Sequence, residues 1–382
     1  MELGAYIWPL FTLMSVDVFN FSKTQTAFFL TLFTIFNIVG TLIGGKLTDK
    51  FGRKYIFSFF MGASAIFYFA AGFADSITVI ICLALGGFMV SIGAQAITPI
   101  IIDMCETKEQ KDDAFTLYYI AMNLGFTLGP LIGGFLYDLG WVRFLFIGDG
   151  LTTFLFAIIV FLFIPETKPT EEEYQKHEGT NEAAATDNIL VIIFKNRMLY
   201  LFLLAIALLF LVFKQFTFGY SLHANTYFTN PGSIFGISMT INSGIVVLLT
   251  SFIINLVKKW RMSARIGLGG LFYVVGFGML AFSGASIVFY FVSVVIWTLG
   301  EILISPSAKV YISNHTPVSH RGRFSSVFDL TRQFGGIIGL NLAGYLIQYS
   351  SIETMWLVIG AIAFIASLIS YRLYSLERGE LV

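Results

Sequence analysis

The chain has 382 residues, of which 57% are hydrophobic and 12% charged, with a formal net charge of zero. A soluble domain averages about 25% charged residues, so this composition excludes an ordinary soluble protein. The zero balance gives no electrostatic case for a nucleic acid or an acidic partner. The apolar residues come in runs of roughly 18 to 25, the length a helix needs to cross a hydrocarbon core of about 30 Å. The reading is an all-α integral membrane protein embedded in a lipid bilayer.

In chain order the apolar spans fall at 1–15, 24–46, 54–73, 77–102, 114–137, 142–164, 198–221, 233–257, 264–283, 286–312, 324–348 and 352–374. That makes about twelve transmembrane helices, the first incomplete. Fifteen residues of helix cover roughly 22 Å, short of a bilayer. This first span reads as the later part of a membrane helix, cut by a misplaced start or a truncated gene, or as a genuine half-span. The opening MELGAYIWPLFTL lacks a basic n-region and a clear small-residue cleavage site, so no cleavable signal peptide is expected. Cys82 lies in an apolar run and Cys105 in a short polar loop, which suggests neither a disulfide framework nor a metal site.

Between the sixth and seventh spans the pattern breaks. Residues 165–197 are hydrophilic, with Pro165, Pro169 and the run Glu171, Glu172, Glu173. They read as a linker with one short surface helix over 188–197. The organisation is therefore an N-terminal bundle at 1–164, a linker at 165–197 and a C-terminal bundle at 198–382. Lys and Arg set the orientation. One set of loops carries Lys46, Lys50, Arg53 and Lys54; Lys108 and Lys111; Lys168, Lys176, Lys195 and Arg197; Lys258, Lys259, Arg261 and Arg265; Arg321 and Arg323; and then Arg372 and Arg378 at the C-terminus. The opposite loops carry Lys23 and Arg143. The basic loops, the linker and the C-terminus are expected in the cytoplasm, with the protein in the plasma membrane. A shift of about 210 residues also lays GPLIGGFLYD (129–138) over GLNLAGYLIQ (339–348), Gly125 over Gly335 and Gly129 over Gly339. Two six-helix halves in parallel are a known transporter plan.

The segment Gly45-Lys46-Leu47-Thr48-Asp49-Lys50-Phe51-Gly52-Arg53-Lys54 resembles the loop signature of the major facilitator superfamily, G-x-L-x-D-[RK]-x-G-R-[RK]. It stands where that family has it, between the second and third helices. The resemblance implies the MFS fold, a parallel repeat of six helices, and a substrate site near the midplane reached by alternating access. It also sets Asp49 against the start of helix eleven, near Arg323–Ser326, and pairs Arg53 with Asp103 at the end of helix four, as a cytoplasmic latch. Gly45, Gly52 and Lys54 complete the gating loop, and its lysines serve equally to fix topology. In helix five, NLGFTLGPLIGGFL (123–136) resembles the G-x-x-x-G-P-x-x-G-G motif of the family's drug:proton antiporters, through Gly125, Gly129, Pro130, Gly133 and Gly134. Glycines at i, i+4 and i+8 also make a smooth face for close helix packing, and Pro130 removes a backbone donor. Residues 300–330 resemble the same branch. Its helix-four arginine has no counterpart in LALGGFMVSIG (83–93), which puts a proton route through that residue in doubt.

Charges inside spans are costly and mark function. Glu301 lies near the middle of span ten and is the leading proton carrier, since a carboxyl there can load from one side and release to the other. Asp149 in span six is the second candidate and Glu2 the third. A permanent pairing of Glu301 with Arg332 would remove this role. Asp329 stands one turn from Arg332 and is expected to pair with it, and Lys309 to snorkel. Polar candidates for a substrate cavity are Gln95, Asn123, Lys214, Gln215, Asn242, Gln333 and Asn341, with helix–helix hydrogen bonding as the equal alternative. Few fixed charges suit a hydrophobic or amphipathic small molecule. No P-loop occurs, and His177, His223, His315 and His320 are read as dispersed in polar segments without metal-ligand spacing.

The expected activity is thus proton-coupled export of a small molecule by a monomer that is not an enzyme, needs no metal or cofactor and is driven by the proton gradient. A proton-coupled importer of peptides or sugars, a non-transporting remnant and an intramembrane enzyme remain as alternatives. If the first span is cut by a misplaced start, DNA just upstream of Met1 should encode, in frame, a basic tail and about ten apolar residues. Sequencing that region decides it, and an in-frame stop there favours the remnant.

Overall fold

The computed structural model describes residues 7–105, 107–168, 196–314 and 321–379. Among them are twelve helices: α1 Ile7–Val18, α2 Lys23–Phe51, α3 Arg53–Ala71, α4 Ser76–Asp103, α5 Lys108–Asp138, α6 Val142–Phe163, α7 Arg197–Tyr227, α8 Pro231–Leu256, α9 Met262–Phe282, α10 Ile287–Asn314, α11 Arg321–Tyr349 and α12 Ile352–Gly379. Ten are long and apolar enough to cross a membrane. The others are α1, which is short, and α11, whose apolar face is interrupted by Asp329, Arg332, Gln333 and Asn341. The surface helix expected over 188–197 falls mostly outside the described residues.

Local sequence sets the helix ends. Asp75 caps α4, accepting the Thr78 N–H at 3.0 Å. Bonds from the Thr78 hydroxyl and N–H hold its carboxyl below the usual carboxylate range. Thr107 and Gln110 close a capping box at the start of α5. Asn196 caps α7 through the N–H groups of Met198 and Leu199, both at 3.1 Å. Three long helices carry an irregular turn: a 3₁₀ turn at Ala94–Ala96 in α4, one at Lys214–Phe216 in α7, and one at Met279–Phe282 ending α9. The end of α1 is a π turn, Met14–Val18.

The helices form two compact units. The first comprises the chain up to Phe21, Phe28–Thr180 and Thr229–Thr240; the second comprises Ser22–Ala27, Asn181–Phe228 and Ile241–Val382. Each repeats the same pairing. In the first, α3 packs on α4 and α6, α1 on α5 and α6, and α5 on α6. In the second, α9 packs on α10 and α12, α7 on α11 and α12, and α11 on α12. Adding six to each helix number converts one scheme into the other, the parallel repeat that the glycine alignment of 125 with 335 anticipates.

Side chains fill the two units differently. Phe57 and Met61 of α3, Ala96 and Ile100 of α4, and Ala157 and Val160 of α6 form one core. The second unit has an aromatic core. Phe277 stacks on Trp297 at 5.5 Å and on Trp356 at 6.0 Å, while Tyr220 meets all three edge-on. In this unit α7 and α11 approach closely. A Cβ at Gly335 or Gly339 would run into the carbonyl oxygens of Ala207 and Leu211 respectively. Overpacking of this kind costs about 1–3 kcal/mol, and here the obstacle is backbone that cannot rotate away. Gly339→Leu should therefore lower the unfolding temperature in detergent by several degrees, about 1–3 kcal/mol, whereas Ile338→Leu, on the exposed side, should leave it unchanged.

Candidate functional site

Four groups of residues carry chemistry. The first is the loop joining α2 to α3. Gly52 breaks the helix with φ +97°, a left-handed conformation that disfavours side chains, and a Cβ there would also meet the Glu166 carboxylate at 2.5 Å. Glu166 sits at the start of α3, its Oε1 accepting the N–H groups of Arg53 at 2.8 Å, Thr167 at 2.9 Å and Lys168 at 3.0 Å. A carboxylate is favoured at a helix N-terminus. The guanidinium of Arg53 is ion-paired with Asp103 at the end of α4 and also reaches the carbonyls of Pro99 and Thr167 at 3.4 and 3.5 Å. Arg53 is buried. Lys54 lies over the Phe161 ring at 5.1 Å. The Asp49 side chain, and those at the start of α11 that it was expected to meet, lie outside the described residues. Gly45 has open space where a Cβ would stand; the close approach falls to Gly44, against the Ile92 carbonyl at 2.6 Å.

The second group is the glycine stripe of α5. Gly125, Gly129, Pro130, Gly133 and Gly134 are all buried. Gly134 faces Gly232 in the first turn of α8, and a Cβ on Gly232 would stand 2.6 Å from the Gly134 carbonyl oxygen. Gly236 faces the Pro130 carbonyl one turn further along. Asp138 ends α5 and caps α8, its two oxygens accepting the Gly232 and Ser233 N–H groups at 2.9 and 2.7 Å. Beside it, Tyr137 donates its hydroxyl to Asp17 at 2.7 Å. All of these residues belong to the first unit.

The third group is a polar cluster inside the second unit. Asn242 of α8 donates one amide hydrogen to Glu301 Oε2 at 2.9 Å and the other to Thr298 Oγ1 at 3.0 Å. Thr298 in turn donates to the Val294 carbonyl at 2.6 Å. Both amide hydrogens are thus used, which fixes the Asn242 side chain. Among the described residues Glu301 enters no ion pair. Arg332 is engaged elsewhere: it pairs with Asp329 at 3.4 Å and covers the Phe210 and Phe328 rings at 4.2 and 5.6 Å. Asp149 is buried in α6, in the other unit. Glu2 lies outside the described residues.

The last group is the set of proposed cavity side chains, and here the structure corrects the sequence. Gln215 is 0% exposed. Its amide donates to the Gly339 carbonyl at 3.0 Å and the Leu211 carbonyl at 3.3 Å, so it ties α7 to α11. Asn341 is exposed and bonds its own helix at Ile337, 2.9 Å. Gln95 bonds Ser91 and Thr41 at 3.2 and 3.5 Å. The Lys214 stem passes Gly336, where an added Cβ would stand 3.6 Å from it. Asn123 and Gln333 are half-buried on α5 and α11. His223 is not in a polar segment but fully buried in α7. Its Nδ1 accepts the Trp356 indole N–H at 3.2 Å, and its Nε2 faces the Ser283 hydroxyl at 3.3 Å. The Ser283 hydrogen goes to the Leu280 carbonyl at 3.0 Å, so the imidazole is the neutral Nε2–H tautomer. His177, His315 and His320 lie outside the described residues.

A basic loop broken at Gly52, a glycine-rich fifth helix and a helix pairing repeated after six helices make this a multi-pass membrane bundle. The chain belongs to the Major Facilitator Superfamily, whose family model matches residues 3–340. It is accordingly a transporter of small molecules and not an enzyme. It is 23% identical to a Na(+), Li(+), K(+)/H(+) antiporter of Planococcus maritimus, over 88% of this chain and 85% of that one. It is 22% identical to the class H tetracycline resistance protein of Pasteurella multocida, over 92% and 87%. A crystal structure of the peptide transporter POT in complex with sulfate shares the fold, with a TM-score of 0.76 at 15% identity over 98% of this chain and 92% of that one.

The paired geometry of Arg53 and Asp103 has a measurable signature. Arg53→Gln and Asp103→Asn should each destabilise the protein, and the double variant should be less damaged than the sum by about 1–3 kcal/mol. Unfolding of the four proteins in detergent measures this coupling, and full additivity would mean the pair contributes nothing.

Proposed function

We propose that the protein exports a small hydrophobic or amphipathic molecule from the cell by alternating access, in exchange for entering protons, and that Glu301 carries the proton. The observation that supports this reading is the setting of Glu301. A carboxyl inside a membrane span is held by a neutral amide, Asn242, while Arg332 is occupied by Asp329 and two rings. An ion pair would have to be broken whenever the acid took up a proton. An amide donor imposes no such cost. The proton can sit on Oε1 while Oε2 continues to accept from Asn242, so the cluster holds both protonation states without rearranging. Thr298 fixes the amide and is the positioning group.

Relatives support the direction and the coupling. One is a tetracycline resistance protein and another exchanges monovalent cations for protons. The gating loop supports a cytoplasmic latch built on Arg53 and Asp103, with Glu166 completing it from the linker side.

Glu301→Gln keeps an acceptor for Asn242 and mimics the protonated acid. In inside-out vesicles, adding an amphipathic dye should release protons through the wild type. The variant should still bind the dye but lose dye-driven proton release by at least about tenfold, the loss expected of an essential proton carrier. Unchanged proton release in the variant removes Glu301 from the coupling. Dye or peptide movement in the opposite sense, with the protons rather than against them, replaces export by import.

A further inference from the structure

The basic loop before α9 does more than orient the chain. Lys259, Trp260 and Arg261 form the mouth of a groove of about 690 Å³ between the start of α9 and the end of α12, wholly within the second unit. That volume is within the range of small-molecule sites, about 300–1,000 Å³. Beyond the mouth the walls become apolar, with Leu268, Leu271, Phe364 and Leu368. Three of these are outward-facing: Leu271 is 44%, Phe364 48% and Leu368 52% exposed. Gly267 forms part of the lining where α9 lies close to α12: a Cβ there would make ordinary contact with Ser370 Cβ at 3.5 Å, the Ser367 carbonyl at 3.8 Å and the Tyr371 nitrogen at 3.9 Å.

The charges lining the mouth are basic, Lys259 and Arg261, with one carboxylate, Glu377, beside Ser263. Both cations come from the loop before α9, where Lys258 precedes them in sequence. Glu377, the acid nearest in sequence on α12, already accepts the Ser263 hydroxyl at 2.6 Å. Arg265 is buried and donates to the Lys258 carbonyl at 2.7 Å, which pins the loop in place. Trp260 is half-exposed and Tyr371 stands on the facing wall, the residue types that settle at a membrane–water interface. A cationic rim above an apolar trough, on the flank of a bundle whose other surroundings are hydrocarbon, is complementary to a molecule with an anionic head and a hydrocarbon tail.

We propose that this groove binds an anionic phospholipid from the leaflet on the basic side of the membrane. Its phosphodiester sits between Lys259 and Arg261, and one acyl chain runs past Gly267 along Leu271, Phe364 and Leu368. Juxtamembrane Lys and Arg attract anionic headgroups in this way, and the trough adds chain burial that a free phosphate lacks. The inference rests on the groove alone and is independent of the direction of transport.

Native mass spectrometry of the purified full-length chain, delipidated and then supplied with phosphatidylglycerol or phosphatidylethanolamine, tests it. The wild type should retain about fivefold more phosphatidylglycerol than phosphatidylethanolamine, and glycerol 3-phosphate should not compete. Lys259→Ala with Arg261→Ala should erase the preference, and Gly267→Leu should lower retention of both lipids by filling the trough. Thermal unfolding without lipid checks that each variant folds; should Gly267→Leu fail, the charge variant decides. Equal retention of the two lipids overturns the proposal, as does wild-type retention in the charge variant. Competition by glycerol 3-phosphate would make the groove a phosphate site, and a dimer in place of the lipid adduct would make it a contact between copies of this chain; either result also overturns it.

Discussion

Hydrocarbon offers a polar group no hydrogen-bond partner and gives two helices no hydrophobic reason to associate. Both halves of that constraint are visible throughout the chain. Hydroxyls within the spans turn back on their own helix: Thr34 to Leu30, Thr127 to Asn123, Thr250 to Val246, Thr331 to Val327, Ser367 to Ala363 and Ser370 to Ala366. Helices then approach through residues that lack side chains, as at Gly339 on Leu211 and Gly44 on Ile92. The longer Gln215 side chain instead reaches a backbone carbonyl on a neighbouring helix, at Gly339.

Against that background the few charges separate into types. Arg53 and Asp103 neutralise each other where α3 begins and α4 ends. Arg332 is neutralised by Asp329 and shielded by rings. Glu301 differs from both, because its partner carries no charge. The same contrast separates Glu301 from His223, whose ring nitrogens are both committed to neighbours in a fixed tautomer. Of these two groups, the acid has one oxygen outside its bond to Asn242, whereas both imidazole nitrogens face a partner.

Much of the fold was legible because span length and hydropathy are one-dimensional properties. The helix boundaries follow the apolar runs, and a six-helix repeat announced itself through aligned glycines. The pairing of Arg53 with Asp103 could be anticipated because the family resemblance implies it for those two positions, not because spacing alone revealed it. What could not be read depends on rotation and on distant partners. Gly44 and Gly45 differ by one residue, about 100° around the helix, and only the first faces α4. His223 lies just past the apolar run that ends at 221, so it looked like a loop residue. Gln215 and Asn242 look alike in sequence, yet one is glue and the other holds an acid. Glu166 was hidden in a linker of many acids; its signal was its place directly after Pro165 at the end of α6.

The meeting of Gly134 and Gly232 restricts how this sequence can drift. The two positions are far apart in the chain, yet each occupies the volume a side chain at the other would need. A methyl group gained at either site cannot be absorbed by a rotamer change, because what it meets is main chain. Asp138 tightens the restriction by holding the same turn through two N–H groups. Mutational paths toward a new substrate are therefore closed at this crossing, and variation must enter through the side-chain-rich faces of the same helices.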